Sequence, residues 1–353
     1  MKPHRRIACQ RFFRPTFWLF GLAAIGLSSL CSGCLDTSDH EVIVYVALDR
    51  EFSEPILKQF EEETGISVRA KYDVESSKTV GLANELLVGD SERARADVFW
   101  NNEIMHTLRL KRAGRLATAN PIHQADFPVA FVDPGQTWFG FAARARVIIV
   151  NTDLLDDEDA RPRSVHELAD PKWQGQCGIA KPLFGTTSTH AAVLFEQMGH
   201  EEATQFFEQV ALNAVTEAGN KQVAQHVAAG RYAWGITDTD DAIIELEKGY
   251  PVAIVIPDQG ENESGCLLIP NTLCTLQGAP NPENAKRLID FLLSHSIEDQ
   301  LAESDSAQIP VSSQASLQSR AMPQSFRPWH ADFAKAANDW ESVAETLQRL
   351  FQK

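Results

Sequence analysis

Short apolar segments rich in β-branched residues alternate with segments of helical periodicity, and this alternation constrains the fold more than any other sequence feature. Residues 42–46, 66–72 and 96–100 have the composition of buried parallel strands. Residues 53–63 carry apolar side chains on one helical face and are followed by Gly65, a residue that commonly ends helices. The same alternation continues towards the C-terminus. It predicts an α/β fold in which helices cover the faces of a sheet.

The N-terminus has the organisation of an export signal. Residues 1–15 contain bases and no acid, and the apolar run at 17–30 is shorter than the roughly 20 residues that span a bilayer. The run ends at Cys31-Ser-Gly-Cys34, which resembles a bacterial lipobox. We therefore predict a signal peptide at 1–33 and lipidation of Cys34. An ordinary cleaved signal with a fortuitous cysteine is the alternative.

Charge and size restrict what the exported part of the chain can be. The sequence has 48 acidic and 32 basic residues, a formal net charge of −16, and removal of the basic leader makes it more acidic still. An acidic surface argues against nucleic acid as a partner, because such binding relies on Lys and Arg to neutralise phosphates. The roughly 320 remaining residues exceed what one core usually supports, so two lobes are expected.

Three cysteines lie beyond the leader and the predicted lipidation site. Export to an oxidising compartment permits a Cys266–Cys274 disulfide that leaves Cys177 as a free thiol. Three unpaired cysteines in the core are the alternative. Neither a CxxC motif nor Cys/His spacing indicates zinc.

Polar side chains follow the predicted strands at the points where the strands end. In open α/β sheets ligands bind beyond the carboxyl ends of the strands, so these positions are the candidate ligand-binding residues. They are Asp49, Arg50, Lys78, Asn101, Asn102, Gly185, Thr186, Thr187, Asp238, Asp240 and Asp241. The Asn, Asp and Thr residues among them are also common at the start of a helix, which is the structural alternative.

Two of these groups have a definite chemistry. Gly185, Thr186 and Thr187 put a glycine and hydroxyl groups at a helix start, where free N–H groups favour an oxyanion. Asp238, Asp240 and Asp241 repel one another, and such a group calls for a cation, an amine or a basic partner. Asp240 and Asp241, with Glu103, form the candidate metal-ligating set.

The sequence lacks the motifs that carry common enzyme chemistry. GxSxG, HExxH, P-loop and GxGxxG patterns are all absent. We therefore expect a binding protein without a cofactor. A periplasmic sensor module and a metal-dependent hydrolase that uses the carboxylates at 238–241 are the alternatives.

Several stretches, taken together, resemble the family-one bacterial extracellular solute-binding proteins and are similar to the ferric-iron-binding members. They are 45–55, 60–66, 96–103, 139–146, 168–175, 234–241 and 281–291. The resemblance implies a two-lobed periplasmic binding protein fold of type II, with the ligand in a hinge cleft. It also implies a monomeric, lipid-anchored protein at the periplasmic face of a membrane, working with the permease and ATPase of an ABC importer.

The resemblance further implies a division of the chain into lobes. Residues 34–140 and about 250–310 are assigned to the first lobe and its crossover strands, and 150–245 to the second. Residues 311–353 are expected to be a helical segment that packs on the first lobe.

The family implies ferric iron or a related small polar solute as the transported ligand. Ferric-binding members have adjacent tyrosines after the strand that here ends near Thr237, whereas this chain has Asp240-Asp241. Relatives also take phosphonates or sugar phosphates, for which Arg50, Lys78 and the turn at Thr186 are suitable. The sequence therefore leaves two alternatives for the ligand. One is ferric iron or another cation bound by carboxylates, and the other is a phosphate-like solute.

Overall fold

The computed structural model describes residues 40–73, 80–90, 93–323 and 325–352. The predicted signal peptide, the predicted lipidation site Cys34 and the candidate ligand residue Lys78 lie outside these ranges. Within the described ranges, no helix has both the length and the apolar character needed to cross a membrane.

Ten strands and eleven α-helices are assigned in the described part of the chain. The strands are β1 (Glu41–Val46), β2 (Ser67–Tyr72), β3 (Val98–Asn101), β4 (Leu116–Ala117), β5 (Trp138–Asn151), β6 (Cys177–Ala180), β7 (Val215–Glu217), β8 (Trp234–Asp238), β9 (Val252–Val255) and β10 (Leu268–Leu276). The helices are α1 (Arg50–Thr64), α2 (Val80–Val88), α3 (Met105–Arg112), α4 (Gly185–Met198), α5 (His200–Asn213), α6 (Asn220–Ala228), α7 (Thr239–Glu247), α8 (Pro282–Leu292), α9 (His295–Glu303), α10 (Phe333–Asn338) and α11 (Trp340–Leu350).

The long strand β5 connects two sheet regions. The strand order is β2-β1-β3-β10-β5-β8-β6-β7, with β4 beside β10 and β9 beside β5. Residues 138–145 of β5 pair with β10, whereas residues 146–151 pair with β8 and β9. We call β1–β4, β10 and their helices the first lobe, and β6–β9 with α4–α7 the second lobe. The predicted α/β fold of two lobes that share strands is confirmed.

Parallel pairing within each lobe sets the position of the strand ends. β1 pairs in parallel with β2 and β3, and β6 pairs in parallel with β7 and β8. The carboxyl ends of each parallel group therefore lie at one edge of its sheet. Apolar side chains on the opposing faces form the cores, represented by Val44, Phe60, Trp100 and Leu288 in the first lobe and by Val147, Ile149, Val223 and Val227 in the second.

The C-terminal helices contact both lobes. Arg112 of α3 in the first lobe donates from Nη2 to both carboxylate oxygens of Glu341, at 2.9 and 2.8 Å. Lys335 of α10 forms an ion pair of 2.6 Å with Glu196 of α4 in the second lobe. Residues 311–353, which were expected to pack on the first lobe, therefore contact the second lobe as well, because amphipathicity identifies an apolar helix face but not every element that covers it.

The strand at 252–255 also departs from the predicted lobe boundaries. β9 pairs with the second half of β5, from Ile148 to Asn151, and so belongs to the second sheet region. The predicted division places residues from about 250 to 310 in the first lobe and its crossover strands. Strand periodicity gives no information about the pairing partner, which explains the difference.

The three cysteines of the described chain are unpaired and buried. Burial raises the pKa of both Cys177 and Cys266 to about 12. The alternative of three core thiols therefore describes this structure, and the Cys266–Cys274 disulfide does not form in it.

Candidate ligand-binding site

A cavity of about 70 Å³ lies where the two lobes meet. Its walls are built almost entirely from residues at strand ends and helix starts of both lobes. They are Leu48, Asp49, Asn102, Arg144, Ala180, Lys181, Phe184, Gly185, Thr186, Thr187, Ala218, Gly219, Asn220, Lys221, Asp238, Asp240 and Asp241. A ligand held here touches both lobes, as required of a cleft that closes around its solute.

Three helices of the second lobe begin at this cavity. α4 starts at Gly185, α6 at Asn220 and α7 at Thr239, and each follows directly on one of the parallel strands β6, β7 and β8. Gly185 has φ +55°, a left-handed conformation that favours glycine at this turn. The N-terminal residues of three helices thus line one small volume, and the positive end of a helix dipole favours an oxyanion.

Asp238 is a buried acceptor that is saturated by neighbours in the second lobe. Its Oδ1 accepts from Arg146 Nη1 at 2.7 Å, and its Oδ2 accepts from Thr186 Oγ1 and from Asn220 Nδ2 at 2.9 Å. Arg146 and Asp238 are almost completely excluded from solvent. Asp238 therefore joins the starts of α4, α6 and α7 and has little capacity left for a ligand.

Arg144 brings a second buried positive charge to the acidic cluster. Its Nε lies 3.2 Å from Asp240 Oδ2, and its Nη2 donates to Asn271 Oδ1 at 3.2 Å. Burial acts to lower the pKa of Arg144, but the carboxylates of Asp240, Asp238, Asp49 and Asp241 outweigh it and raise the pKa. The guanidinium is thus a fixed cation at the wall of the cavity.

The charges around the cavity nearly balance. Asp49, Asp238, Asp240 and Asp241 contribute four carboxylates, and Arg144, Lys181 and Lys221 line the same space with Arg146 behind Asp238. Oxygen atoms of Asp238, Asp240 and Asp241 lie within 4.8 Å of one another, a spacing that a hard cation accepts. Two of these three carboxylates, however, already have a buried arginine as partner.

Of the eleven predicted ligand residues, eight line the cavity. They are Asp49, Asn102, Gly185, Thr186, Thr187, Asp238, Asp240 and Asp241. Lys78 lies outside the described residues. Arg50 and Asn101 are found in other environments, as is the candidate metal ligand Glu103.

Glu103 and Asn101 form a buried network at the start of α3. Glu103 accepts from the backbone N–H of Met105 and of His106, the latter at 2.9 Å, and from Asn101 Nδ2 at 2.8 Å. It also accepts from Thr189 Oγ1 of α4 at 2.8 Å. The structure therefore does not bring Glu103 to Asp240 and Asp241, and its carboxylate has the contacts of a helix cap.

Arg50 points away from the cavity. It donates to Glu54 of its own helix from Nε and Nη2, at 3.0 and 2.9 Å, and its guanidinium lies over the ring of Tyr72 at 5.2 Å. This side chain lines an adjoining groove. Arg50 therefore does not line the cavity, because α1 turns the residue after Asp49 towards solvent, and its predicted role in ligand binding stays a prediction.

The basic residues of the cavity and its amide residue Asn220 were missed in the sequence analysis. Arg144 and Arg146 lie two positions apart in β5, a strand whose residues are all buried. Two arginines in a largely apolar strand are the sequence feature that could have identified these residues. Two charged residues in a fully buried strand require partners of opposite charge. Asn220, Lys181 and Lys221 had no comparable signal, since they occupy ordinary loop and helix-start positions.

Comparison with known proteins agrees with this architecture. A family model described as bacterial extracellular solute-binding protein matches residues 97–337. Iron uptake protein A1 of Synechocystis sp. is 25% identical over 323 residues, covering 84% of this chain and 86% of that protein. A putative 2-aminoethylphosphonate-binding periplasmic protein of Salmonella typhi is 28% identical over 160 residues, 44% of this chain and 46% of that protein.

Solved structures share the two-lobed fold. The ferric binding protein from Campylobacter jejuni superposes with a TM-score of 0.79 at 21% identity, covering 88% of this chain and 99% of that chain. The periplasmic binding protein AfuA from Actinobacillus pleuropneumoniae, with fructose 6-phosphate bound, gives 0.76 at 20% identity, covering 88% and 98%. The relatives named here are binding and uptake proteins. Because the family model spans more than half of the sequence, this chain belongs to the bacterial extracellular solute-binding protein family.

Proposed function

We propose that this protein is the solute-binding component of an ABC importer and that its cavity captures a small solute with a phosphate-type oxyanion, either a phosphonate or a sugar phosphate. The observation that carries the proposal is the convergence of the α4, α6 and α7 N-termini on one cavity that Arg144 and Lys181 also line. Helix N-termini and cationic side chains together favour an oxyanion by both hydrogen bonding and charge.

The carboxylates of Asp240 and Asp241 complete the proposed recognition. Asp238 accepts from Arg146, Thr186 and Asn220, whereas Asp240 and Asp241 line the cavity with carboxylate oxygens, a group that accepts hydrogen bonds from an amine or a hydroxyl. A near-neutral cavity with both signs of charge favours a solute that is itself both anionic and hydrogen-bond donating.

Ferric iron is the second candidate ligand. The oxygen cluster of Asp238, Asp240 and Asp241 and the names of several relatives support it. It ranks second because none of the described cavity residues is a tyrosine and because Arg144 and Arg146 compete with a cation for the carboxylates. Capture of iron would require Asp240 to exchange Arg144 for the metal.

A thermal-shift and titration screen separates the two candidates. The panel holds 2-aminoethylphosphonate, glucose 6-phosphate, inorganic phosphate and ferric citrate. A ligand that binds only the folded state raises the melting temperature. At a ligand concentration about a hundredfold above Kd, the free energy of unfolding increases by about 2.7 kcal/mol. We expect stabilisation by the phosphate-type compounds, weakened about tenfold in affinity by Lys181→Ala. The matched control is Lys248→Ala, at the opposite end of α7 from the cavity.

The opposite outcome is equally specific. Stabilisation by ferric citrate alone, lost in Asp240→Ala, would overturn the oxyanion proposal and establish carboxylate binding of iron.

The proposed anchoring is tested separately, by labelling cells with a fatty acid: a Cys34→Ser variant is expected to lose the lipid and leave the membrane fraction. We further propose that the protein acts as a monomer with a permease and a cytoplasmic ATPase, and genes for both beside its own would support this.

A further inference from the structure

His190 is a buried histidine of α4 that does not line the cavity but contacts the arginine behind Asp238. It lies one helical turn after Thr186, so both side chains face the same side of α4. Arg146 of β5 reaches this side: its Nη1 lies 3.3 Å from Thr186 Oγ1, and its Nε lies 3.4 Å from His190 Nδ1. The guanidinium is therefore held against α4 at two points, in addition to its contact with Asp238.

The chemistry of the two groups determines which one donates. A guanidinium has donors but no acceptor and keeps its charge in proteins, so Arg146 donates and His190 Nδ1 accepts. A histidine that accepts at Nδ1 is neutral and carries its proton on Nε2. Burial in the first place, then the charge of Arg146 and then His166 lower the pKa of His190 well below 6.5, which agrees with a neutral ring.

The contact at Nε determines how the Arg146 guanidinium is turned. Because the group is planar, fixing the direction of Nε–H also fixes the direction of the N–H groups at Nη1. Nη1 donates to Asp238 Oδ1 at 2.7 Å, and Asp238 Oδ2 accepts from Thr186 and Asn220. A chain of hydrogen bonds thus runs from His190 to two polar side chains that line the cavity.

Arg146 has few other partners that could hold it in this orientation. The residue is 1% exposed, and within the described part of the chain its Nη2 makes no hydrogen bond. Loss of the acceptor at Nε would leave a second buried donor of a charged group unsatisfied, which is costly. A guanidinium in that state is free to rotate about its Cδ–Nε bond, and this rotation moves the donor that Asp238 accepts from.

We propose that His190 is a positioning residue of the binding site, a neutral acceptor that sets the direction of the Arg146 guanidinium. Through Asp238 it thereby orients the hydroxyl group of Thr186 and the amide of Asn220 at the cavity. The inference rests on the proposed oxyanion function and deepens it, because it assigns a role in binding to a residue that does not touch the solute.

Two substitutions separate positioning from packing. The ring of His190 also lies edge-on to Trp329, with centroids 6.2 Å apart, so packing is the competing explanation. Asparagine places Oδ1 where histidine places Nδ1 and keeps the acceptor, whereas leucine fills the space without one.

The affinity for the phosphate-type compounds of the screen is measured by isothermal titration with 2-aminoethylphosphonate, glucose 6-phosphate and inorganic phosphate. We expect His190→Leu to weaken binding at least about tenfold and His190→Asn to stay within about threefold of the native protein. The matched control is His295→Leu, at an exposed position at the start of α9, which is expected to bind as the native protein does. Thermal melting shows whether each variant is folded.

Two NMR measurements need no ligand. The ¹⁵N shifts of the His190 ring, assigned by their absence in His190→Asn, are expected to show the Nε2–H tautomer from about pH 6 to about pH 8. The Nε–H of Arg146 is expected to be protected from exchange with solvent in the native protein and in His190→Asn, and to lose this protection in His190→Leu.

The outcomes separate the positioning role from the proposed function. A charged ring or an Nδ1–H tautomer refutes the proposal, as does a folded His190→Leu variant that binds as tightly as the native protein. Equal losses of affinity in the leucine and asparagine variants assign His190 to packing and also refute it. If no phosphate compound binds the native protein, the oxyanion function fails, and the tautomer and the protection of Arg146 then decide the role of His190.

Discussion

The ion pair between Arg146 and Asp238 is the most deeply buried charged contact of the site, at 2.7 Å between Nη1 and Oδ1. Removing one partner of such a pair leaves the other charge uncompensated in a low-dielectric environment. We predict that Asp238→Asn lowers the free energy of unfolding by about 3–5 kcal/mol, measured by urea denaturation. The loss arises in the second lobe, where Asp238 joins three helix starts.

An exposed pair of the same residue types is the matched control. Arg163 and Asp159 lie 3.3 Å apart with most of both side chains in solvent. Because water screens such pairs, Asp159→Asn is expected to leave the denaturation midpoint within error. Equal effects of the two substitutions would show that burial does not govern the stability of the cluster.

Residue identity alone could not decide which polar strand-end side chains bind ligand. Asn102 and Glu103 are adjacent after β3, yet Asn102 lines the cavity and Glu103 accepts from the start of α3. Ligand residues and helix caps share the same residue types and the same position. Only the direction of the side chain separates them, and that direction depends on how the following helix leaves the sheet.

At the scale of elements, β5 carries the connection between the lobes, and a buried carboxylate holds it. Ala142 has φ +42°, an unusual conformation for a residue with a side chain, and its N–H donates to Glu298 of α9 at 2.6 Å. The same carboxylate accepts from Val311 at 3.1 Å and from Ser312 at 2.8 Å. Glu298 therefore fixes the crossover strand and the segment at 311–312 relative to each other.

The environment of Glu298 makes this contact sensitive to pH. Burial raises the pKa of Glu298 above 4.5 even though three backbone N–H groups oppose the shift. A raised pKa contributes stability that is complete below the unfolded value and is lost as the pH rises through the folded value. We predict that the stability advantage of the native protein over Glu298→Gln grows as the pH falls from 7.5 towards 5, measured by urea unfolding.

Glu303→Gln is the control for that series, since Glu303 is an exposed residue near the end of the same helix. Its difference from the native protein is expected to be constant with pH. A constant difference for Glu298→Gln as well would mean that Glu298 titrates alike in the folded and unfolded states, contrary to the prediction.

Most elements of the first lobe follow from periodicity, whereas their partners do not. The strand at 42–46 and the helix ended by Gly65 are predicted because burial on both faces and a left-handed stop leave clear patterns. Strand β9 and the C-terminal helices have equally clear patterns, but these patterns did not identify the contacts that both make with the second lobe. Local patterns encode which face is buried, and only the tertiary fold determines what buries it.

At the scale of the whole molecule, a buried hydrogen bond joins the two lobes near the cavity. Thr189 of α4 donates to the carboxylate of Glu103 in the first lobe at 2.8 Å, and both residues are excluded from solvent. A hydrogen bond to a buried charged group contributes about 1.5–3 kcal/mol. Because the donor and acceptor lie on different lobes, this energy favours the closed arrangement over the open one.

We predict that Thr189→Val shifts the ligand-free protein towards an open state, seen as a larger radius of gyration in small-angle X-ray scattering. Valine keeps the shape of threonine but cannot donate, so Glu103 loses a partner and gains access to water by opening. Thr204→Val is the matched control, because Thr204 donates within its own helix to the carbonyl of His200 at 2.6 Å. An unchanged radius in Thr189→Val, with a lower melting temperature, would show that this bond stabilises the fold without biasing closure. An unchanged radius and melting temperature would show that the bond contributes to neither.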